Sequence, residues 1–152
     1  MSKISKVSIS PKSYNNKFGV PLSLFNLKQN DEYGILEVGM DKKGEIDYLS
    51  KIIEPNVGVI TNINYAHAKN FKDIEQIALA KSEIINNIRS NGFIVLNADD
   101  NFFRLHQKIA HKKDLKVISF GIKNQKANIK LVNIDKIGKI YKINIRIDKK
   151  RK

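Results

Sequence analysis

Four short apolar runs limit what this chain can fold into: YGILEV (33–38), VGVIT (57–61), FIVL (93–96) and LKVISFG (115–121). Each is too short for a buried helix, and each is apolar at consecutive positions, as in strands covered on both faces. Between them lie segments with helical spacing: DYLSKII (47–53), DIEQIALAKSEIINNI (73–88) and DNFFRLHQKIA (100–110). The last has Asp99 or Asp100 placed to cap its amino end. This alternation predicts an α/β fold with a mostly parallel sheet and helices on both faces. After Gly121 the period becomes two, in ANIKLVNI (127–134) and KIYKINIRI (139–147) around the turn-like DKIG. That pattern predicts an appended antiparallel hairpin.

Within the second helical segment, Ile74, Ile77, Ala78, Ile84, Ile85 and Ile88 recur at three- and four-residue steps and share one face. Lys81 falls near the middle of that face. Burying an ammonium without a partner is costly, so such a lysine is paired, shifted in pKa or stretched out to water. Either Lys81 reaches past the stripe, or it faces a group that needs a nitrogen there.

Composition narrows the class. No apolar run approaches the ~20 residues needed to span a bilayer. The start MSKISKVSIS has charge but no apolar core of a secretion signal. With no cysteine, disulfides and thiolate metal sites are excluded. The net charge of +13 suggests an anionic partner. Its excess is concentrated at the end, however, where residues 126–152 hold ten Lys or Arg against Asp135 and Asp148. A solvated basic tail in a Lys-, Ile- and Asn-rich chain explains this better than a nucleic-acid groove, and ATP is itself an anion.

In open α/β sheets, ligands bind at the carboxyl ends of the strands. Glu37 interrupts the first apolar run ahead of Gly39, Thr61 and Asn62 close the second with His67 a few residues on, and Asn97, Asp99 and Asp100 follow the third. Singly these read as a strand-end ion pair, a loop histidine and a helix cap. Together, a carboxylate and an imidazole on neighbouring strand ends can hold Mg²⁺ beside a phosphate through oxygen ligands and water. Lys81, on the helix leaving the second strand, approaches the same rim.

SYNNKFGVPLSLFNL, ILEVGMDKKGEIDYLSKIIEPNVGVITNINYAHAKNF, IEQIALAKSEI and VLNADD follow in this order and spacing. The composite closely resembles the central domain of the Mur ligases, a P-loop-NTPase-like fold, over residues 13–147. Residues 1–12 and 148–152 remain as basic termini. EVGM followed by GEI, with the AH pair, is most similar to the branch that adds D-alanyl-D-alanine to UDP-N-acetylmuramoyl-tripeptide in peptidoglycan synthesis. The resemblance implies a cytoplasmic ligase that uses ATP and Mg²⁺ to make an acyl phosphate, which an incoming amine attacks. It implies Glu37 as the Mg²⁺ ligand near the γ-phosphate, His67 at a second metal position, and Lys81 as the lysine that related ligases carry as a carbamate. Carbamylation turns a cation into an anion with metal-binding oxygens, which makes a buried lysine tolerable. Thr61 and Asn62 lie on the nucleotide side, and Asn15 and Asn16 match a segment near substrate and phosphate.

The family's phosphate loop, G-T-x-G-K-T, would lie upstream of SYNN, but residues 1–12 contain no glycine. Its backbone amides and lysine cradle the phosphates. The chain is therefore expected to be a fragment, inactive alone, with a separate chain possible as the source of the loop and an apolar flank left open. Two other readings stay open: a non-catalytic binding module using its basic tail, and another ligase of the superfamily, of folylpolyglutamate or cyanophycin synthetase type.

Overall fold

A computed structural model describes residues 5–65 and 70–148. Its elements run β1 (Val7–Ile9), α1 (Gly19–Phe25), β2 (Tyr33–Ile35), α2 (Glu45–Ile53), β3 (Val57–Ile60), α3 (Ile74–Ser82), a 3₁₀ turn (Glu83–Asn87), β4 (Phe93–Asn97), α4 (Phe103–His111), β5 (Lys116–Gly121), β6 (Ile129–Ile137) and β7 (Ile140–Ile147). β1 and β2 form a parallel pair, and β3-β4-β5-β6-β7 form a second sheet, parallel except for the β6–β7 hairpin. The fold is thus α/β with a mostly parallel sheet, helices and an antiparallel hairpin.

The first apolar run departs from its reading. Only Tyr33–Ile35 of YGILEV is strand, and all three residues are exposed. Past Ile35 the chain peels away: the Glu37 amide donates to Ser10 Oγ (3.0 Å) and the Gly39 amide to the Asn15 carbonyl (2.7 Å). β1 and α1 were not read from sequence. β1 has only three residues, and α1 carries a proline at its third position, where a helix tolerates one.

The segment 73–88 divides in two. Asp73 caps α3, its side chain accepting from the Gln76 amide (2.8 Å). After Ser82 the helix tightens to 3₁₀, which brings residues three apart into line, as with Ile85 and Ile88. Glu83 supplies a reason for the change: its carboxylate accepts from the Gly44 amide (2.9 Å) and the Asp47 amide (3.1 Å) at the start of α2. Gly44 stands there at φ 90°, a conformation that costs glycine little. Asn87 adds bonds from its side-chain amide to the Asp47 carbonyl and Ser50 Oγ.

Two further expectations are corrected. Neither Asp99 nor Asp100 caps α4, which begins at Phe103 without a side-chain cap. Asp100 accepts from the Phe102 amide, and Asp99 is drawn across to the amides of Ile122, Lys123 and Asn124 beyond β5. Three backbone donors satisfy a carboxylate better than one. The hairpin turn is not DKIG either: β6 runs through Ile137, and the chain reverses over Gly138 and Lys139. Gly138 takes φ 63° as the first of these two residues, the glycine position of a tight hairpin turn.

Pairing registers sort the side chains of the large sheet. One face carries Gly58, Ile60, Ile94, Leu96, Val117 and Ser119. Ile60, Ile94 and Leu96 pack there with Ile77, Ala78 and Ala80 of α3, Ile85 and Ile88 after it, and Ala110 of α4. Burying each isoleucine or leucine contributes about 1.5–3 kcal/mol. On this face His106 is 2% exposed, and its Nε2 donates to the Ala78 carbonyl (3.0 Å), which fixes the neutral tautomer with hydrogen on Nε2.

The opposite face is equally apolar but open. It carries Val57, Val59, Phe93, Val95, Ile118 and Phe120, and continues through the Phe120–Ile129–Ile147 row to Leu131, Ile145, Ile134 and Ile143. None of these residues is buried, and Val59 and Ile145 are about half exposed, at 52% and 53%. The runs of β3–β5 are those of doubly covered strands, and within this chain the buried packing is on one side.

Two outcomes are expected. A surface this apolar drives association, so sedimentation of the 152-residue chain will show concentration-dependent oligomers, and a sharply melting monomer would contradict the open face. Burial holds the His106 pKa below the ordinary histidine value, ahead of opposing pulls from the Ala78 bond and Asp100. Below about pH 6.5 the unfolded chain therefore binds the proton first and stability falls, by up to ~1.4 kcal/mol per pH unit. Urea unfolding at pH 7 and pH 5 measures that loss, and His106→Gln should reduce it.

Candidate functional site

The sequence-selected residues gather in two groups. The first lies beyond β1 and β2. Asn15 Nδ2 donates to Glu37 Oε1 (2.8 Å), and Glu37 is also held through its backbone by Ser10. A Cβ on Gly39 would stand 3.0 Å from the Asn15 side-chain amide, so glycine lets the two loops close on each other. The Glu37 side chain is exposed, oriented by one neutral donor. Asn16 serves α1: its Oδ1 accepts from the amides of Phe18 and Gly19 (both 3.0 Å). What Asn16 has left to offer a substrate is its amide nitrogen.

The second group lies beyond β3. Thr61 Oγ1 donates to Asn62 Oδ1 (3.2 Å), and both residues are exposed. Lys81 is half-buried at the end of α3, and its Nζ donates to the Asn62 carbonyl (3.0 Å). Burial pulls the Lys81 pKa below the usual lysine value, with Asp100 opposing. The lysine therefore does face a group that needs a nitrogen. Among the described residues it forms no ion pair with a carboxylate and no hydrogen bond joins it to Glu37. His67 lies outside the described residues.

Asp100 is the residue whose role the sequence reading missed. In the sequence it reads as a rim residue or a helix cap, yet its Oδ2 accepts from the Ile63 amide (2.8 Å), thirty-seven positions away. Nothing in a local sequence pattern signals a bond of that span. Asp99 next to it holds the loop after β5. Burial raises its pKa, but the amides of Lys123, Ile122 and Asn124 outweigh that and lower it.

Among the described residues no three His, Asp or Glu side chains stand close enough to hold a metal ion by themselves. One exposed carboxylate suits a hard cation whose remaining ligands are water and phosphate oxygens, the usual arrangement for Mg²⁺. The donor set fits Mg²⁺ carried in with a nucleotide. No helix among the described residues is long and apolar enough to cross a membrane.

The family profile described as the Mur ligase middle domain matches residues 1–150. UDP-N-acetylmuramoyl-tripeptide–D-alanyl-D-alanine ligase of Buchnera aphidicola subsp. Acyrthosiphon pisum is 39% identical over 115 residues, covering 74% of this chain and 24% of that protein. The same ligase of Rickettsia prowazekii is 35% identical over 127 residues, covering 83% and 28%. MurF from Acinetobacter baumannii superposes with a TM-score of 0.85 at 29% identity, over 96% of this chain and 31% of that one. MurF ligase from Thermotoga maritima in complex with ADP gives 0.82 at 25% identity, over 96% and 33%. L. casei FPGS, at 12% identity and a TM-score of 0.67, shares the fold alone. The chain thus spans about a quarter to a third of the length of the relatives it matches. It belongs to the Mur ligase family, whose middle-domain profile it matches over residues 1–150.

Proposed function

We propose that this chain is the middle-domain portion of an ATP-dependent cytoplasmic ligase that joins D-alanyl-D-alanine to UDP-N-acetylmuramoyl-tripeptide. The observation that carries the reading is the placement of Glu37 with Asn15, and of Lys81 with Asn62, just past the carboxyl ends of β2 and β3. In a parallel α/β sheet that edge is where ligands are bound.

The residues divide the work as follows. Asn15 donates to one oxygen of Glu37 and leaves the other to face a cation. Bound Mg²⁺ would neutralise charge on the transferring phosphoryl group and the substrate carboxylate. Thr61 and Asn62 present a hydroxyl and an amide to the nucleotide phosphates, Asn15 and Asn16 flank the substrate side, and His67 is assigned to the second metal position. Lys81 has two available states. As an ammonium it holds the Asn62 carbonyl. Its lowered pKa raises the share of neutral amine, which adds to CO₂ to give a carbamate and a released proton. The carbamate oxygens would then be metal ligands. We place the phosphate loop outside these 152 residues, in adjoining sequence or in a separate chain.

A graft tests the assignment. Residues 5–148 would replace the matching segment of the Thermotoga maritima ligase, and phosphate release dependent on both UDP-N-acetylmuramoyl-tripeptide and D-alanyl-D-alanine would be measured. Activity is expected in the graft, falling about 10²-fold or more with Glu37→Gln and with Lys81→Met. A folded graft that is active but indifferent to Glu37→Gln would sink the metal assignment. A folded graft with no substrate-dependent release would sink the reading as a whole.

A further inference from the structure

The amide of Ile63 and the carbonyl of Asn62 belong to one planar peptide group. Lys81 Nζ holds the oxygen of that group (3.0 Å), and Asp100 Oδ2 accepts from its nitrogen (2.8 Å). We propose that Asp100 is a positioning residue of the ligase site, clamping with Lys81 the Asn62–Ile63 peptide at the carboxyl end of β3. The inference rests on the reading of Lys81, Thr61 and Asn62 as site residues.

Each end of the peptide dipole meets the charge that suits it: the N–H points at a carboxylate, the carbonyl at an ammonium. Charge-assisted bonds of this kind are about twice as strong as neutral ones. Neither arm can swing freely. Lys81 sits on α3, whose Ile77, Ala78 and Ala80 are locked in the core. Asp100 is fixed by its other oxygen, which accepts from the Phe102 amide (2.8 Å) just before α4. Ile63 itself is 6% exposed, so its side chain anchors the peptide from below while Thr61 and Asn62 stay exposed above. The titratable groups facing Asp100 are Lys81 from α3 and the neutral His106 from α4. Rotating the peptide would break both bonds together. One helix and the turn into another therefore fix the direction in which Thr61 and Asn62 present their side chains.

The test uses the ¹⁵N-labelled 152-residue chain and reads three exchange rates with water: the Ile63 amide, the Phe102 amide and the Nζ protons of Lys81. In Asp100→Ala the Ile63 amide should exchange about tenfold faster or more, the cost of losing one such bond. The Lys81 Nζ protons should speed up as well, although no hydrogen bond joins them to Asp100. Lys81→Met should speed the Ile63 amide while leaving Phe102 unchanged. A role confined to the turn before α4 predicts otherwise: Phe102 loosens, Ile63 and Lys81 keep their wild-type rates, and the proposal is overturned. Asp100→Asn, close in shape, keeps at most one of the two acceptor contacts because half of its head is a donor. It should loosen Ile63 or Phe102, and unchanged rates at both would count against the clamp. Should neither variant fold, the wild-type rate decides: an Ile63 amide as protected as those of β3 supports the clamp, and one exchanging like exposed Asn64 overturns it. None of these readouts needs nucleotide or metal. An inactive graft would remove the site reading and leave the clamp intact, and an unprotected Ile63 would do the reverse.

Discussion

The packing of α3 and its 3₁₀ continuation on the β3–β4 face is the constraint on which the rest of the structure depends. Ile60, Ile94 and Leu96 below, with Ile77, Ala78, Ile85 and Ile88 above, allow one register between helix and sheet. Gly58 is part of that fit, because a Cβ there would lie 2.8 Å from Ile88 Cδ1. Once this register is set, Lys81 is carried to the end of β3 whether or not a ligand is present. The same packing presents the Ala78 carbonyl to His106, so α4 is docked through a buried imidazole as well as through Ala110. The core thus positions both arms of the site beyond β3, Lys81 from above and Asp100 from the turn into α4.

What could be read from the sequence followed the length of the signal. β3, β4 and β5 were legible because their apolar runs are continuous and bounded, and β6 and β7 because period two persists for eight or nine residues. β1 and α1 carry too few residues for any period to register. β2 looked like a six-residue strand and is three, because Ser10 and Asn15 capture the Glu37 and Gly39 backbone before the ladder can continue. The hairpin turn slipped by two positions for a similar reason. Asp135 suggested a turn, but cross-strand pairing with Lys142 holds it in the ladder, and Gly138 alone takes the positive φ.

The site was legible to the extent that a residue violated its local pattern. Lys81 stands out within an apolar stripe, and Glu37 within an apolar run, and each makes a side-chain bond to a residue distant in sequence. Asp100 violated nothing. An aspartate ahead of a helix is what a cap looks like, and its bond to Ile63 depends on a turn from β4 meeting a loop from β3. Asn16 shows the converse: a residue singled out by resemblance whose oxygen is committed to its own helix. Side chains that act across the sheet leave no trace in spacing, because spacing records only what neighbours along the chain demand.

The two states open to Lys81 are not energetically independent of its surroundings. Burial disfavours the ammonium, and the Asn62 carbonyl and the Asp100 charge favour it. A carbamate, also charged, keeps the burial penalty and loses the favourable attraction of Asp100. It would place an anion near Asp100, a like charge, with only the neutral N–H left to donate to Asn62. In the chain by itself the balance therefore holds Lys81 on the carbonyl. A divalent cation held by the carbamate would change this, because its charge outweighs that of one carboxylate. Under the proposed function, carbamylation and metal binding would then be coupled, each lowering the cost of the other. The Asn62–Ile63 peptide is the element that both states share, held by a cation in one and by Asp100 in both.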